Sequence, residues 1–342
     1  MLLKRLGLII ASIFVLSTIV MGCSASKPTE ISSPKPAVTE QTTSTKPTPS
    51  TAPLNGDFIT FKDSTKQEIT LKDKPQRVIL LNTEVQELFY QAGGKAVGLA
   101  TAPGIPVPEM AKDAARVGTI NQVSLEKLMS LKPDLVIGQS MFHASLKDSL
   151  ASSKVPLALM DIKSYEDIKA AAELFGKIAG KEAETMAALD QTEQNMQTVL
   201  SKLPQQSPKF AMITIMPTGI SVQKNSTISL DVASRLKLKN VAESLPSGRM
   251  PSSAPYSLEK LVELDPDFVF FLVHGTEDYG KEKLKSDIES NPAWKTLRAV
   301  KENKIYFLPS SLFVTNPGFH FDQSLSYLAR LVYPDIYGSV AK

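Results

Sequence analysis

A repeat within the chain limits what it can fold into. The segment SLEKLMSLKPDLVIGQSM, residues 124–141, returns as SLEKLVELDPDFVFFLVH, residues 257–274. Each copy has the pattern of a short helix, a Pro-Asp pair that ends the helix, and an apolar run typical of a buried parallel strand. Two copies of one helix–strand unit predict two α/β lobes in which the unit occupies the same place.

The segments around the repeat predict alternating strands and helices. FITF and EITL alternate apolar and polar residues, which predicts a small hairpin. The first half then carries the apolar runs RVILL, KAVGLA and VPLALM, and the second half carries KFAMITI and KIYFLP, with helical periodicity between them. This order predicts an α/β fold with mostly parallel sheets covered by helices.

One long helical segment, residues 181–203, separates the two halves. Its apolar side chains recur on one face of the helix: Met186, Leu189, Met196, Val199 and Leu203. We therefore predict an N-terminal α/β lobe over 55–180, a linking helix over 181–203 and a C-terminal α/β lobe over 204–342. Ligands bind beyond the carboxyl ends of strands in such sheets, which predicts a ligand cleft between the lobes.

The N-terminus has the pattern of an export signal. Lys4 and Arg5 precede an uncharged apolar run that ends at Cys23, the only cysteine in the chain. The run is short for a spanning helix of about 20 residues, and its junction with Cys23 resembles a bacterial lipoprotein cleavage site. We predict a signal peptide over 1–22 and lipidation of Cys23; an uncleaved anchor helix is the alternative.

Residues 23–54 are rich in Ser, Thr and Pro and poor in large apolar side chains. Such a segment cannot bury enough apolar surface to offset its ordering entropy, so we predict a disordered tether. The protein would then be held at the extracytoplasmic face of the cell membrane by its lipid anchor.

The charge balance and the motifs exclude several classes of function. The net charge is +3, but the first 53 residues carry five Lys or Arg against two Asp or Glu, so the remainder is formally neutral. This argues against a nucleic-acid partner. We find no GxSxG, HExxH or GxxxxGK[ST] motif, so we expect neither an enzyme nor a catalytic cofactor.

The motifs together resemble the iron-complex and cobalamin substrate-binding lipoproteins of ABC importers. The resemblance is carried by the lipobox, the tether, RVILL…TEVQELFYQAGG…AVGLA and both copies of the repeat, and it extends from about residue 58 to 334. It implies two α/β lobes joined by one long helix. It also implies capture of an iron-containing chelate for delivery to a permease dimer with a cytoplasmic ATPase.

The resemblance also assigns a role to the glutamate of each repeat copy. In the family, one surface glutamate on each lobe docks onto arginine pockets of the two permease subunits. The matching residues are Glu126 and Glu259. The alternative is that both are ordinary solvated residues in the first turn of a helix, where the helix dipole favours a carboxylate.

The C-terminal third is most similar to the haem-binding lipoproteins of Gram-positive iron-regulated surface uptake systems. In those proteins a histidine followed by glycine binds the haem iron, and this residue matches His274. Their methionine ligand comes from the other lobe, and its position falls at Asn121. A surface loop histidine is the alternative for His274.

The repeat suggests another methionine for the iron, since Met141 aligns with His274. Methionine and histidine are a known axial pair for haem iron. We therefore expect Met141 as a possible sixth ligand and His143 as its competitor, while the alternative for Met141 is to fill a core or loop. A ferric siderophore or cobalamin, bound without an iron–protein bond, remains the alternative to haem.

Further residues in loops are candidates for contact with the ligand. Arg249 could pair with a ligand carboxylate, or it could be an ordinary exposed residue. His320 is expected at the cleft rim or in a structural role. Three histidines spread over two lobes argue against a bare metal-ion site. The remaining cleft candidates are Asn82, Thr83, Glu84, Tyr256 and Tyr279.

Overall fold

The structure is a computed structural model, and it describes residues 56–340. The predicted signal peptide, Cys23 and the whole of the tether lie outside the described residues. Within residues 56–340, none of the helices combines the length and the apolar character needed to cross a membrane.

The first half of the described chain holds a small hairpin and a six-stranded sheet. The hairpin pairs β1 (Ile59–Lys62) with β2 (Glu68–Leu71) in antiparallel fashion, as FITF and EITL predicted. The strands of the sheet are β3 (Val78–Leu80), β4 (Ala96–Thr101), β5 (Ala115–Thr119), β6 (Gln122–Val123), β7 (Leu135–Gly138) and β8 (Leu157–Leu159). Their order is β6-β5-β4-β3-β7-β8, and every pair is parallel except β5 with β6.

Helices cover both faces of this sheet, because its central strand is apolar on both sides. Leu80 of β3 faces one buried cluster and Ile79 faces another. Ser124 and Ser164 begin two of the helices, since each hydroxyl accepts a hydrogen bond from a backbone N–H of the first turn. The helices are α1 (Gln86–Gln91), α2 (Leu125–Ser130), α3 (Ser140–His143), α4 (Lys147–Ser152) and α5 (Tyr165–Ala179).

A long helix, α6 (Glu182–Leu200), follows as predicted, but its buried face differs from the expected one. Its buried residues are Thr185, Leu189, Thr192 and Met196. The expectation that Met186 lies on the packed face is wrong, because its side chain is 41% exposed. Met186 is one residue, about 100° around the helix, from Thr185 and therefore off this narrow stripe.

The second half of the described chain forms another six-stranded sheet. Its strands are β9 (Lys209–Met216), β10 (Gly219–Gln223), β11 (Lys239–Asn240), β12 (Ser253–Pro255), β13 (Phe268–Val273) and β14 (Ile305–Phe307). The order is β12-β10-β9-β13-β14, with β11 paired to β9. Here β10 runs antiparallel to both of its neighbours, and β9, β13 and β14 are parallel.

The helices of the second half begin with α7 (Ile228–Arg235) and α8 (Leu258–Leu264). The amphipathic helix α12 (Phe321–Val332) buries Phe321, Leu325 and Leu328. The remaining helices are α9 (Glu277–Lys283), α10 (Arg298–Lys301), α11 (Ser310–Phe313) and α13 (Pro334–Tyr337).

The two copies of the repeat occupy equivalent places, as the sequence predicted. β7 lies between β3 and β8, and β13 lies between β9 and β14, with all of these pairs parallel. Helix α2 precedes β7 and helix α8 precedes β13. Both repeat strands are fully buried, so the unbroken apolar runs correspond to central strands covered on both faces. The predicted α/β class with mostly parallel sheets is confirmed.

Contacts between α5 and α7 join the two halves directly. The Asp231 carboxylate accepts a hydrogen bond from the backbone N–H of Tyr165 (3.0 Å) and pairs with Arg235 (2.9 Å). The Arg235 guanidinium also lies 5.4 Å from the ring centre of Tyr165 and 5.6 Å from that of Phe321. This cluster supplements α6 as a connection between the halves.

Candidate functional site

A cavity of about 390 Å³ lies where the carboxyl ends of strands from both sheets meet. Its volume is within the range typical of small-molecule sites. The first half contributes segments that follow β3, β7 and β8: Glu84, Gln139–Phe142 and Asp161–Lys163. The second half contributes Gln223, Asn225–Ser229, Met250–Ser252, Leu272, His274 and Phe313–Asn316. We refer to this cavity as the cleft.

His274 enters the cleft directly after β13. Its backbone N–H donates to the Ile215 carbonyl (2.9 Å), which fixes the end of the strand. Burial lowers the pKa of its imidazole, so the ring is neutral at neutral pH. Among the described residues, no side chain is hydrogen-bonded to this ring, and a lone pair is available to a ligand.

A tight turn from the first half approaches the backbone of His274. Gly104 has a φ of +75°, and a Cβ placed on it would lie 2.9 Å from the His274 carbonyl carbon and oxygen. An L side chain there would be strained by its φ and would also meet backbone, which does not yield easily. Glycine at this position therefore allows the first half to pack closely against the strand end that carries His274.

Met141 presents an exposed thioether to the cleft from α3. Its side chain is 52% exposed and the neighbouring Phe142 is 37% exposed. Large apolar side chains are usually buried, so two exposed ones that line a cavity indicate a surface available for an apolar ligand. The cleft thus brings together Met141 and His274, one from each half.

His143 points away from the cleft into the first half. It is 1% exposed, and its Nδ1 accepts a hydrogen bond from the backbone N–H of Gln139 (2.9 Å). Burial lowers the pKa of this imidazole as well, which keeps Nδ1 an acceptor. His143 does not line the cleft; it holds the segment that carries Met141.

Glu84 places a carboxyl group at the base of the cleft. Its Oε2 exposes less than 1 Å² and has no hydrogen-bond partner among the described residues. Burial raises the pKa of this carboxyl to about 7, and hydrogen bonds from the Ile162 backbone and the Gln139 side chain oppose the effect. Asp161 nearby raises the pKa of Glu84 further.

Asn82 and Thr83 shape the turn that carries Glu84 and do not line the cleft. Asn82 is fully buried. Its Oδ1 accepts a hydrogen bond from the backbone N–H of Glu84 (2.8 Å), and its Nδ2 donates one to the Met160 carbonyl. Asn82 therefore positions Glu84. Asn121 is exposed between β5 and β6 and does not line the cleft either.

Most polar residues that line the cleft were missed by the sequence analysis, Asp161 and Asn316 among them. Asp161 accepts hydrogen bonds from the backbone N–H (2.9 Å) and the hydroxyl of Ser140, and it lies 3.6 Å from Lys163 Nζ. Asn316 is 4% exposed, and its Nδ2 has no partner among the described residues. Asp161 follows β8, so the rule that ligands bind beyond the carboxyl ends of strands could have indicated it. Asn316 lies in a loop that does not directly follow a strand, and nothing in the sequence indicated it.

The other loop candidates lie outside the cleft. Arg249 is exposed, although the adjacent Met250 lines the cavity. The Tyr256 hydroxyl is buried, which raises its pKa to about 12. The Tyr279 hydroxyl lies 3.4 Å from the Met216 carbonyl oxygen. His320 is exposed, and its Nδ1 lies 3.1 Å from Gln323 Nε2.

Within residues 56–340, no group of His, Cys, Asp or Glu side chains is arranged to hold a metal ion by itself.

Glu126 and Glu259 have matching environments on the two halves. Each is exposed and lies in the first turn of its helix, after a serine that caps the helix. The Ser124 hydroxyl accepts a hydrogen bond from the backbone N–H of Lys127 (3.3 Å). In the same way, the Ser257 hydroxyl accepts one from the backbone N–H of Lys260 (3.3 Å). Hydrogen bonds from its own backbone and from Ser257 lower the pKa of Glu259, so this carboxylate is charged at neutral pH.

Comparison with known proteins identifies the family. A family model described as periplasmic binding protein matches residues 78–312, more than half of the chain. The chain belongs to the periplasmic binding protein family. This family consists of substrate-binding proteins of ABC transporters, which are not enzymes, and the resemblance seen in the sequence is confirmed at this level.

Individual relatives agree with this assignment. An uncharacterised ABC transporter substrate-binding lipoprotein of Bacillus subtilis is 25% identical over 289 residues, which cover 82% of this chain and 87% of the relative. The crystal structure of Staphylococcus aureus IsdE complexed with heme matches with a TM-score of 0.64 and 19% identity, covering 75% of this chain and 98% of that one.

A second solved structure matches equally well. The triscatecholate siderophore-binding protein FeuA of B. subtilis, complexed with ferri-bacillibactin, has a TM-score of 0.65 and 21% identity, covering 80% of this chain and 98% of that one. At these identities the likeness shows the fold alone. Because proteins with two different ligands match alike, the choice of ligand must be argued from the side chains of the cleft.

Proposed function

We propose that this protein captures an iron-containing chelate, with haem as the leading candidate, and delivers it to the permease of an ABC importer. The observation that carries the proposal is the presence of His274 and Met141 in one cavity, contributed by opposite halves of the molecule. The names of relatives support the iron-chelate class, since they include a heme uptake protein, an Fe(3+) dicitrate-binding protein and an iron-uptake system-binding protein.

The chemistry of the two side chains suits a haem iron. A neutral imidazole binds iron through a ring nitrogen, and the thioether of methionine is an established axial partner. Apolar side chains around them offer contact to the faces of a planar macrocycle: Phe142, Ile228, Leu272 and Phe313. His143 is engaged with Gln139 and lies outside the cavity, so Met141 is the better candidate for the second axial position.

The docking role of the repeated glutamates forms a second part of the proposal. Glu126 and Glu259 are exposed at the start of equivalent helices, beside equivalent strands of the two sheets. A permease dimer offers two equivalent surfaces, so a protein with two equivalent carboxylates suits it. We propose that these residues contact cationic groups of the permease. Lipidation of Cys23 would keep the protein at the extracytoplasmic face of the membrane, near that permease.

A second candidate ligand is a ferric siderophore or a corrinoid held without a bond from the protein to the metal. The observation that favours it is the number of neutral hydrogen-bonding side chains in the cleft, among them Gln139, Asn225 and Asn316. Amide-bearing ligands would pair with such groups, whereas the face of a porphyrin would not.

Haemin titration of the purified protein tests the proposal. We expect a stoichiometric complex with a shifted Soret band, which the His274→Ala variant loses and the Met141→Leu variant alters. His320→Ala and Met110→Leu are matched controls, because both residues are exposed and lie outside the cleft. A spectrum that stays that of free haemin would reject haem and favour the second candidate.

A further inference from the structure

We infer that the cleft selects a chelate whose buried surface carries little net charge, and that it discriminates against polyanionic ferric chelates such as triscatecholate complexes. This inference rests on the proposed function and deepens it, since it concerns the ligand of the same site. It is carried by the charged side chains that line the cavity, and by two unpartnered polar groups.

The charges of the cleft do not favour an anion. Its charged side chains are Glu84, Asp161 and Lys163, and none of the described residues that line it is an arginine. The Lys163 ammonium lies 3.6 Å from the Asp161 carboxylate, so its charge is already matched. The net charge of the lining is therefore zero to negative, depending on whether Glu84 is protonated.

Two unpartnered polar groups show which interactions the cleft offers instead. Glu84 Oε2 in the first half and Asn316 Nδ2 in the second are both buried without a hydrogen-bond partner among the described residues. The Asn316 Oδ1 is engaged by the Gly318 N–H (3.0 Å), so only its amide N–H₂ is free. Buried polar groups are nearly always paired, so both groups are open to hydrogen bonds with uncharged parts of a ligand, and neither supplies a cation.

A polyanionic ligand would be unfavourable in this environment. A ferric triscatecholate carries several negative charges over its whole surface, so burial beside Glu84 and Asp161 would bring like charges together at reduced dielectric constant. The core of a ferric porphyrin differs, because its carboxylates lie at one edge and can remain towards solvent. A weakly charged porphyrin face that packs against the cleft is not repelled by the Glu84 and Asp161 carboxylates. It also leaves no cation of the cleft without a partner.

A series of isosteric substitutions tests the inference through binding of a ferric triscatecholate and of haemin. Asn316→Asp adds a carboxylate, Glu84→Gln removes one, and Glu84→Gln combined with Asp161→Asn removes two. Affinities would be measured by quenching of Trp294 fluorescence at fixed pH and ionic strength. The matched control, Glu289→Gln with Asp335→Asn, makes the same change of net charge at exposed positions outside the cleft.

We expect the affinity for the triscatecholate to rise along this series, by about tenfold or more between the wild type and the double variant. The control should change it by less than about twofold, because exposed charges are screened. The ratio of triscatecholate affinity to haemin affinity should also rise by about tenfold, because the porphyrin face carries no charge that the two carboxylates repel. Triscatecholate affinity that is unchanged across the series, or wild-type protein that binds it as tightly as haemin, would overturn the inference.

The inference and the proposed function can fail separately. If His274→Ala leaves the haemin spectrum and affinity unchanged, coordination of haem iron by the protein is rejected. The triscatecholate series still decides whether the cleft discriminates by charge, because that measurement needs no bond between the protein and iron.

Discussion

At the scale of single residues, Glu84 has the most strongly shifted carboxyl in the described part of the chain. Burial is the main cause, and the Asp161 carboxylate adds to it. A carboxyl with a pKa of about 7 is partly protonated at neutral pH, so it can act as either donor or acceptor towards a ligand. The Asn82 side chain holds the turn that places it there.

Substitution of Glu84 by Gln should make the unliganded protein more stable at alkaline pH. The folded-state pKa is raised from 4.5 to about 7, so stability present below pH 4.5 is lost as the pH rises through 7. We expect the free energy of unfolding of Glu84→Gln to exceed that of the wild type by up to about 3 kcal/mol at pH 9. Urea unfolding at pH 9 and pH 5 checks this, and the difference should largely vanish at pH 5.

A constant difference at both pH values would show that the effect arises from packing and not from ionisation. Glu289→Gln is the control, because this exposed carboxylate lies outside the cleft and should leave the pH dependence unchanged.

His143 acts on the cleft through the backbone of Gln139. Replacing it with Leu removes the acceptor for the Gln139 N–H and should loosen the segment that carries Met141. One buried hydrogen bond contributes about 1 kcal/mol, so we expect haemin affinity to fall severalfold to about tenfold. His143→Asn keeps an acceptor at a similar position and should recover part of the loss. Equal losses in both variants, measured by haemin titration, would contradict a role through this hydrogen bond.

At the scale of elements, the Pro-Asp pair of the repeat has a structural function in both halves. The Asp134 carboxylate accepts from the N–H groups of Gln76 (2.7 Å) and Arg77 (2.9 Å), just before β3. The Asp267 carboxylate accepts from the N–H of Lys209 (2.7 Å), at the start of β9. Each aspartate thus joins the repeat strand to its central neighbour, which explains why the pair occurs twice.

Loss of this connection should destabilise the first half. In Asp134→Ala two backbone N–H groups lose their acceptor, and we expect the free energy of unfolding to fall by about 1–3 kcal/mol. Hydrogen exchange at Gln76 and Arg77 should accelerate, while exchange at Lys209 should be unaffected. Asp148→Ala is the control, because Asp148 is exposed on α4. Unchanged exchange at Gln76 and Arg77 would contradict the assignment.

At the scale of the whole molecule, the cleft and the proposed docking residues are separate surfaces. Neither Glu126 nor Glu259 is among the residues that line the cleft, and each is exposed in the first turn of its helix. A charge reversal at the docking residues should therefore leave the ligand site intact.

The double variant Glu126→Lys with Glu259→Lys should abolish uptake of the chelate by cells, because both carboxylates would then repel cationic groups of the permease. Haemin affinity of the purified variant should equal that of the wild type. Glu289→Lys with Glu109→Lys makes the same change of net charge at other exposed positions and should support uptake. Uptake at the wild-type rate by the docking variant would reject the docking role.

The fold class and the equivalence of the two halves could be predicted from local patterns in the sequence. The periodicity of apolar residues is a local property of the sequence. The repeat therefore predicted α2 with β7 and α8 with β13. The long helical segment predicted α6 to within three residues at either end. The rule that ligands bind at strand ends also indicated the segments that carry Met141 and His274.

The set of side chains that share the cleft could not be predicted in this way. The direction of His143, the exposure of Met186 and the unpartnered amide of Asn316 depend on contacts between segments distant in the chain. Asp161 and Lys163 were likewise brought into the cleft by the placement of β8 at the edge of its sheet. Periodicity indicates which face of an element is buried, but the neighbours that surround a loop side chain are set by how whole elements pack against one another.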